Sequence, residues 1–185
     1  MLKKFEIKRV LGPFEGGAGI LLANEEKAFV IYVGLYEASA IVKEIQKQTT
    51  IRPLAHDLMN SILLGFDIQV KSVIISKIVE NTFCATLVLE QTILDAKGNP
   101  TNKKREVHID ARASDSIILA LKNNKDILIA SEVYEKVDDI SKEISLLEKQ
   151  ENKNSFPSGE NFDISFDVPD YPLEEEDEDE DEEEE

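Results

Sequence analysis

Asp110-Ala111-Arg112-Ala113-Ser114-Asp115-Ser116 stands between an alternating segment, Glu106 to Ile109, and the apolar run Ile117-Ile118-Leu119-Ala120-Leu121. Alternation that gives way to a continuous apolar stretch predicts a strand handing over to a helix. The junction gathers two carboxylates, a guanidinium and two hydroxyls. The first N–H groups of a helix lack intrahelical partners and the macrodipole is positive there, so anions are favoured at such a point. A phosphate-handling site can be built in this way. Ordinary helix capping accounts for the same residues, with Ser114 as N-cap and Asp115 complementing the dipole.

Working toward the N-terminus, Phe5 to Val10, Gly19 to Ala23 and Lys27 to Gly34 read as strands from their Ile, Val and Phe content and the Gly16-Gly17 and Asn24-Glu25-Glu26 turn signals. From Tyr36 the period becomes helical, with Ala38, Ile41, Val42 and Ile45 on one face. Pro53 suits the first position of a second helix lined by Leu54, Leu58 and Ile62, with Met59 and Leu63 beside them, and Gly65 suits a left-handed cap. Asp67 to Val79 and Thr82 to Leu94 predict a hairpin turning at Glu80-Asn81. Lys103 to Ile109 returns as a strand after the Lys97-Gly98-Asn99-Pro100 turn. A junction helix over about Asp115 to Asn124, a short strand Ile127 to Ala130 and an amphipathic helix Val137 to Asn152 with Ile140, Ile144 and Leu147 on its stripe complete the folded part. The expected class is α+β: a mixed, largely antiparallel sheet with three to four helices. Val33-Gly34 into Ala38-Ser39-Ala40-Ile41 weakly echoes Ile109-Asp110 into Ser114-Asp115-Ser116-Ile117, each a strand running into a helix with small residues in its first turn.

The net charge of -17 misleads, because Glu174 to Glu185 are twelve consecutive acids. Residues 1–150 hold 21 acids and 20 bases and are nearly neutral. That balance neither advertises nor excludes nucleic acid, since phosphate affinity follows local Lys and Arg placement. Residues 153–185 have disordered composition: Phe162 to Tyr171 alternates apolar groups with Asp, and the acidic run follows. Cys84 is the single cysteine, which excludes a disulfide framework and a thiolate metal cluster. With no apolar run of signal-peptide or membrane-span length, a soluble cytoplasmic protein is expected. The chain lacks a P-loop, a Gly-x-Ser-x-Gly elbow and a His-Glu-x-x-His helix.

Three ordered segments carry a family resemblance: Val33-Gly34-Leu35-Tyr36-Glu37-Ala38-Ser39-Ala40-Ile41, Arg52-Pro53-Leu54-Ala55-His56-Asp57-Leu58, and Asp110 to Ser116. They resemble the Gly-x-x-Glu-Ala-x-Ala-Ile, Arg-Pro-x-Thr-His-Asp-Leu and Asp-Ala-Arg-Pro-Ser-Asp-Ala segments of the bifunctional nuclease domain family, over about residues 5 to 137. Ala55 and Ala113 stand where that family has Thr and Pro. The domain limits that follow are 1–137 for this region, 138–152 for the C-terminal helix and 153–185 for the linker and acidic tail.

The resemblance implies a nuclease acting on DNA and RNA. Phosphodiester hydrolysis commonly uses Mg²⁺ or Mn²⁺ held by carboxylates, and Asp110, Asp115 and Glu37 are the expected ligands. Glu37, His56, Asp57, Asp110 and Asp115 are the candidate catalytic residues, and Arg52, Arg112 and Ser114 the candidate phosphate-binding ones. Adjacent helix residues do not face each other, so His56 and Asp57 form no relay, and His56 acts alone as a base, a metal ligand or a structural histidine. Arg52 and Arg112 suit either a bidentate phosphate clamp or salt bridges to Asp57 and Asp115. His108 reads as surface, and Lys103, Lys104 and Arg105 with Lys122 and Lys125 suit either a modest basic strip or ordinary solvating charge, with no aromatic cluster for a stacking platform. The alternative is a non-catalytic module whose acidic, aromatic-bearing segment 162–185 binds a protein partner or regulates its own domain. The stripe Ile140, Ile144, Leu147 also suits a homo-oligomer.

Overall fold

The computed structural model describes residues 1–151, without the side chains of 147–151. The segment 162–185 and its expected partner lie outside the described residues. The chain runs β1 (Leu2–Phe14), β2 (Gly17–Ala23), β3 (Ala28–Val33), α1 (Leu35–Ile45), α2 (Ala55–Gly65), β4 (Ile68–Val79), β5 (Thr82–Leu94), β6 (Pro100–Arg112), α3 (Ala113–Lys122), β7 (Ile127–Ala130), α4 (Ser131–Lys136) and α5 (Ser141–Glu151). One seven-stranded sheet has the order β3-β2-β1-β7-β4-β5-β6, antiparallel throughout except where β4 lies parallel to β7. This is the expected α+β architecture, with α4 as an additional short helix. Among the described residues no helix is long and apolar enough to cross a membrane.

The β4–β5 hairpin turns at Glu80 and Asn81 as expected. Both have positive φ (47° and 62°), the type I′ geometry that suits the strand twist. Other boundaries moved. Helix α3 starts at Ala113, so Ser114 lies inside the helix, 7% exposed, and does not cap it. Helix α2 begins at Ala55, two residues after Pro53, and the left-handed residue beyond it is Asp67 (φ 55°), not Gly65. The apolar residues of α2 are not a core stripe: none of its residues is buried, and Leu58, Met59, Ile62 and the following Phe66 are exposed.

Both edge strands end in helices. Strand β3 runs into α1 and β6 into α3, and the two helices pack against each other. The core lies against them: Ile20, Leu22 and Ile31 from β2 and β3, Val73, Ile75 and Ala85 from β4 and β5, and Ile41, Ile117 and Ile118 from the helices are almost wholly buried. Burying such aliphatic side chains contributes about 1.5–3 kcal/mol each. A further aromatic group, Phe5, Phe29, Phe83 and Tyr134, closes the other end, with Phe5 and Phe29 edge-on at 5.4 Å. Asp139 ties the start of α5 to β3 by accepting from the Ala28 N–H and from Ser141. Those donors, Ser141 first, hold its carboxyl down at about 2.

Candidate active site

Helices α1, α2 and α3 each carry an acid at the third helical position: Glu37, Asp57 and Asp115. An acid there complements the free N–H groups of the first turn. Because α1 and α3 leave opposite edges of the sheet and meet, the first turns of two helices converge, and α2 brings a third beside them.

Arg112, the last residue of β6, links the convergence. Its Nε donates to Asp115 Oδ2 at 2.7 Å and its Nη2 to Asp115 Oδ1 at 3.0 Å, while Nη1 donates to Glu37 Oε1 at 2.9 Å. His56 Nε2 lies 3.0 Å from the same Asp115 Oδ1. A carboxylate only accepts, so Nε2 carries a proton, and in a neutral imidazole the lone pair is then on Nδ1. Burial pushes the Asp115 carboxyl up, but its bonds from Arg112 and then His56 outweigh this and hold it below the ordinary aspartate range. Asp115, then Glu37, hold Arg112 still more firmly in its charged form. The guanidinium is nonetheless open to solvent, with its side chain 66% exposed. Gly34, before α1, makes room for Glu37: a Cβ there would sit 2.5 Å from the Glu37 carboxylate oxygen.

Asp57 faces the other way. Its Oδ2 caps the Leu54 N–H at 2.7 Å, and its Oδ1 accepts from Lys122 Nζ, which also donates to Glu44 Oε1 at 2.5 Å. Burial alone would lower the Lys122 pKa; the bonds to Asp57 and then Glu44 raise it above the ordinary lysine value. Lys122, then the Leu54 N–H, hold Asp57 down. Asn123 adds a neutral clamp to this helix pair, donating to Asn60 Oδ1 at 2.8 Å. A cleft of about 440 Å³ opens beside both clusters, walled by the end of α1, the segment Gln48 to Leu54 and the start of α2, with His56, Asp57 and Lys122 in its lining.

The model for the bifunctional nuclease domain matches residues 20–141. The chain belongs to the bifunctional nuclease domain family. The matched span runs from within β2 to the first residue of α5 and contains all three first turns. Two uncharacterized proteins of Mycobacterium tuberculosis, from strains CDC 1551 / Oshkosh and ATCC 25618 / H37Rv, are each 32% identical to it over 100 residues, 54% of this chain and 52% of theirs. The bifunctional nuclease domain chain thus spans about half the length of these curated relatives.

Of the residues singled out in the sequence of this bifunctional nuclease domain, the fold brings together Glu37, His56, Arg112 and Asp115. Asp57 is adjacent but committed to Lys122. Asp110 stays outside the bonded cluster: alternation along β6 sets it on the same side as Arg112, but it makes no hydrogen bond or ion pair with Arg112 or with any other member. Arg52 is exposed and pairs with no described acid, and the buried Ser114 is poorly placed to touch a phosphate. The salt bridge considered for Arg112 forms; the one considered for Arg52 does not. For the expected ion, Asp110, Asp115 and Glu37 do not fit in this arrangement. Arg112 occupies the space between Glu37 and Asp115, and among the described residues no three His, Cys, Asp or Glu side chains are grouped to hold a metal. Sequence reasoning missed Lys122 as a half-buried partner of two acids, placing it in a basic strip or among solvating charges. The five apolar residues before it, in a helix buried on most sides, were the available signal.

Proposed function

We propose that this domain hydrolyses phosphodiester bonds of DNA and RNA at the Arg112–Asp115–His56 cluster. The observation that carries the reading is the hydrogen-bonded series in which Glu37 and Asp115 fix Arg112, and Asp115 fixes the His56 tautomer. His56 Nδ1, which has no partner among the described residues, takes a proton from water. The water oxygen bonds to phosphorus, the P–O ester bond breaks, and the leaving oxygen takes a proton from solvent. Asp115 stabilises the imidazolium that forms, and positioned general bases of this kind contribute about 10²–10⁴ in rate. A guanidinium has five N–H donors, and three are committed here, which leaves two for the phosphate oxygens.

The test is cleavage of single-stranded DNA and RNA oligonucleotides by highly purified protein, with and without EDTA, comparing wild type with His56→Ala. Cleavage by the wild type and at least a hundredfold loss in the variant support the reading. Equal cleavage by the two proteins overturns it.

A further inference from the structure

The cleft beside His56 has a charge pattern that the nuclease reading leaves unused. Lys122 is neutralised within its wall by Glu44 and Asp57. Lys43 and Lys47, on the last turn of α1 and just beyond it, line the same cleft and pair with no described acid. The Arg112 cluster next to it keeps two N–H donors for one phosphate but sets two carboxylates against one guanidinium, so it adds little long-range attraction for the rest of a polyanion. Among the described residues that line the cleft, the uncompensated cations are these two lysines, and the exposed Arg52 stands beside them in the Gln48 to Leu54 segment. The rest of the lining divides into an apolar wall, Ile51, Pro53, Leu54 and Ile118, and the polar groups of Gln48, Thr49, Thr50 and Ser61. Ligand pockets with mostly apolar walls and a few polar groups take small organic units at volumes from about 300 Å³.

We propose that this cleft is a subsite for one unpaired nucleotide of a single-stranded nucleic acid, next to the phosphate that His56 and Arg112 address. The proposal rests on the nuclease reading for its orientation but not for its binding. Lys43 and Lys47 hold the flanking backbone phosphates. The Ile51–Leu54 wall covers one face of the base, and Gln48, Thr49 and Thr50 meet its edge. A base inside a duplex is stacked and paired on both sides and does not enter a cleft of this size, so strands are preferred over duplexes. Among the described residues no Phe, Tyr or Trp lines the cleft and His56 is its one aromatic ring, so recognition depends on charge and hydrogen bonding more than on stacking.

The experiment is fluorescence anisotropy of a labelled single-stranded 12-mer, in DNA and RNA forms, with cleavage-resistant phosphorothioate linkages so that turnover does not consume the probe. It compares wild type, the Lys43→Ala/Lys47→Ala double variant and Lys97→Ala, a change at an exposed turn far along the chain. Affinity for the strand is expected to fall at least tenfold in the double variant only. The slope of log affinity against log salt is expected to lessen by about 1.4, at ~0.7 per lost single-strand phosphate contact. A 12-bp duplex should bind at least tenfold more weakly than the strand to wild type. Unchanged strand affinity in the double variant, or equal affinity for duplex and strand, overturns the subsite. Strand binding that depends on the lysines without any cleavage keeps the subsite and defeats the nuclease reading. Cleavage with an unaltered KM in the double variant does the reverse.

Discussion

His56 and Asp57 are neighbours on one turn of α2, yet they belong to two ion clusters of the same make-up whose cations differ in exposure. Each cluster sets one cation between two carboxylates: Arg112 between Asp115 and Glu37, and Lys122 between Asp57 and Glu44. The Arg112 side chain is 66% exposed and that of Lys122 is 16% exposed. A cation open to water can exchange part of its solvation for a substrate phosphate at small cost. A cation enclosed by two acids and three helices cannot be released without leaving two half-buried carboxylates unpaired. The pairing alone therefore says little about role; exposure and the added imidazole distinguish a reactive cluster from a structural one.

The largest separation of the two should come from single substitutions read for both activity and stability. His56→Ala is expected to reduce cleavage by two to four orders of magnitude, the usual contribution of a positioned base, with a thermal midpoint close to wild type. Lys122→Met should do the opposite. Removing the charge while keeping much of the stem leaves Asp57 and Glu44 mutually repelling, at a cost of about 2 kcal/mol after allowing for partial exposure. In a folded unit of this size that lowers the midpoint by roughly 4–8 °C. If Lys122→Met instead abolished cleavage at unchanged midpoint, the division between the clusters would be wrong.

Acid and alkali probe the same contrast with a smaller effect. Asp57 and Asp115 have depressed pKa values, so their contribution is complete above the ordinary aspartate value of about 3.9 and is lost as pH falls through their folded values. Lys122 has a raised value, so its contribution is complete below about pH 10.4 and is lost as pH rises through its folded value. Thermal midpoints measured from pH 7 downward should fall below about pH 4 in wild type and fall less steeply in Asp57→Asn. From pH 9 upward, Lys122→Met should show a flatter decline than wild type.

The smallest expected effect concerns the helix that supplies Asp115. Ser116 is completely buried and its Oγ has no hydrogen-bond partner among the described residues. Ser116→Ala removes a desolvated hydroxyl and should stabilise the domain by up to about 1 kcal/mol, read as a raised urea midpoint at unchanged m. A clear loss of stability would show that the hydroxyl is satisfied.

How much of this was readable in the sequence depends on the range of the interaction. The β6–α3 handover, the Glu80-Asn81 turn and the small residues opening α1 and α3 are local, and periodicity and turn chemistry expose them. The echo between the two strand-to-helix junctions was visible too. That they leave opposite sheet edges and meet was not, because strand order is a tertiary fact. Arg112 reaches Glu37 across 75 residues and Lys122 reaches Asp57 across 65, separations on which spacing rules are silent. Periodicity also misled at α2: Leu58 and Ile62 have helical spacing, but spacing alone does not show that anything covers the face they form. Asp110 belonged to the motif and shares a strand face with Arg112, yet the bonds of Arg112 go to Asp115 and Glu37, and motif membership does not show which carboxylate an arginine takes.

The central claim is that the exposed cluster, and not its buried counterpart, does the chemistry. The most direct measurement is the single-turnover cleavage rate of a single-stranded RNA by purified Asp115→Asn, which keeps the side-chain shape but removes the charge shared by Arg112 and His56. The account predicts a rate at least a hundredfold below wild type, with circular dichroism and thermal midpoint showing a folded domain. A folded Asp115→Asn protein that cleaves at the wild-type rate would contradict it.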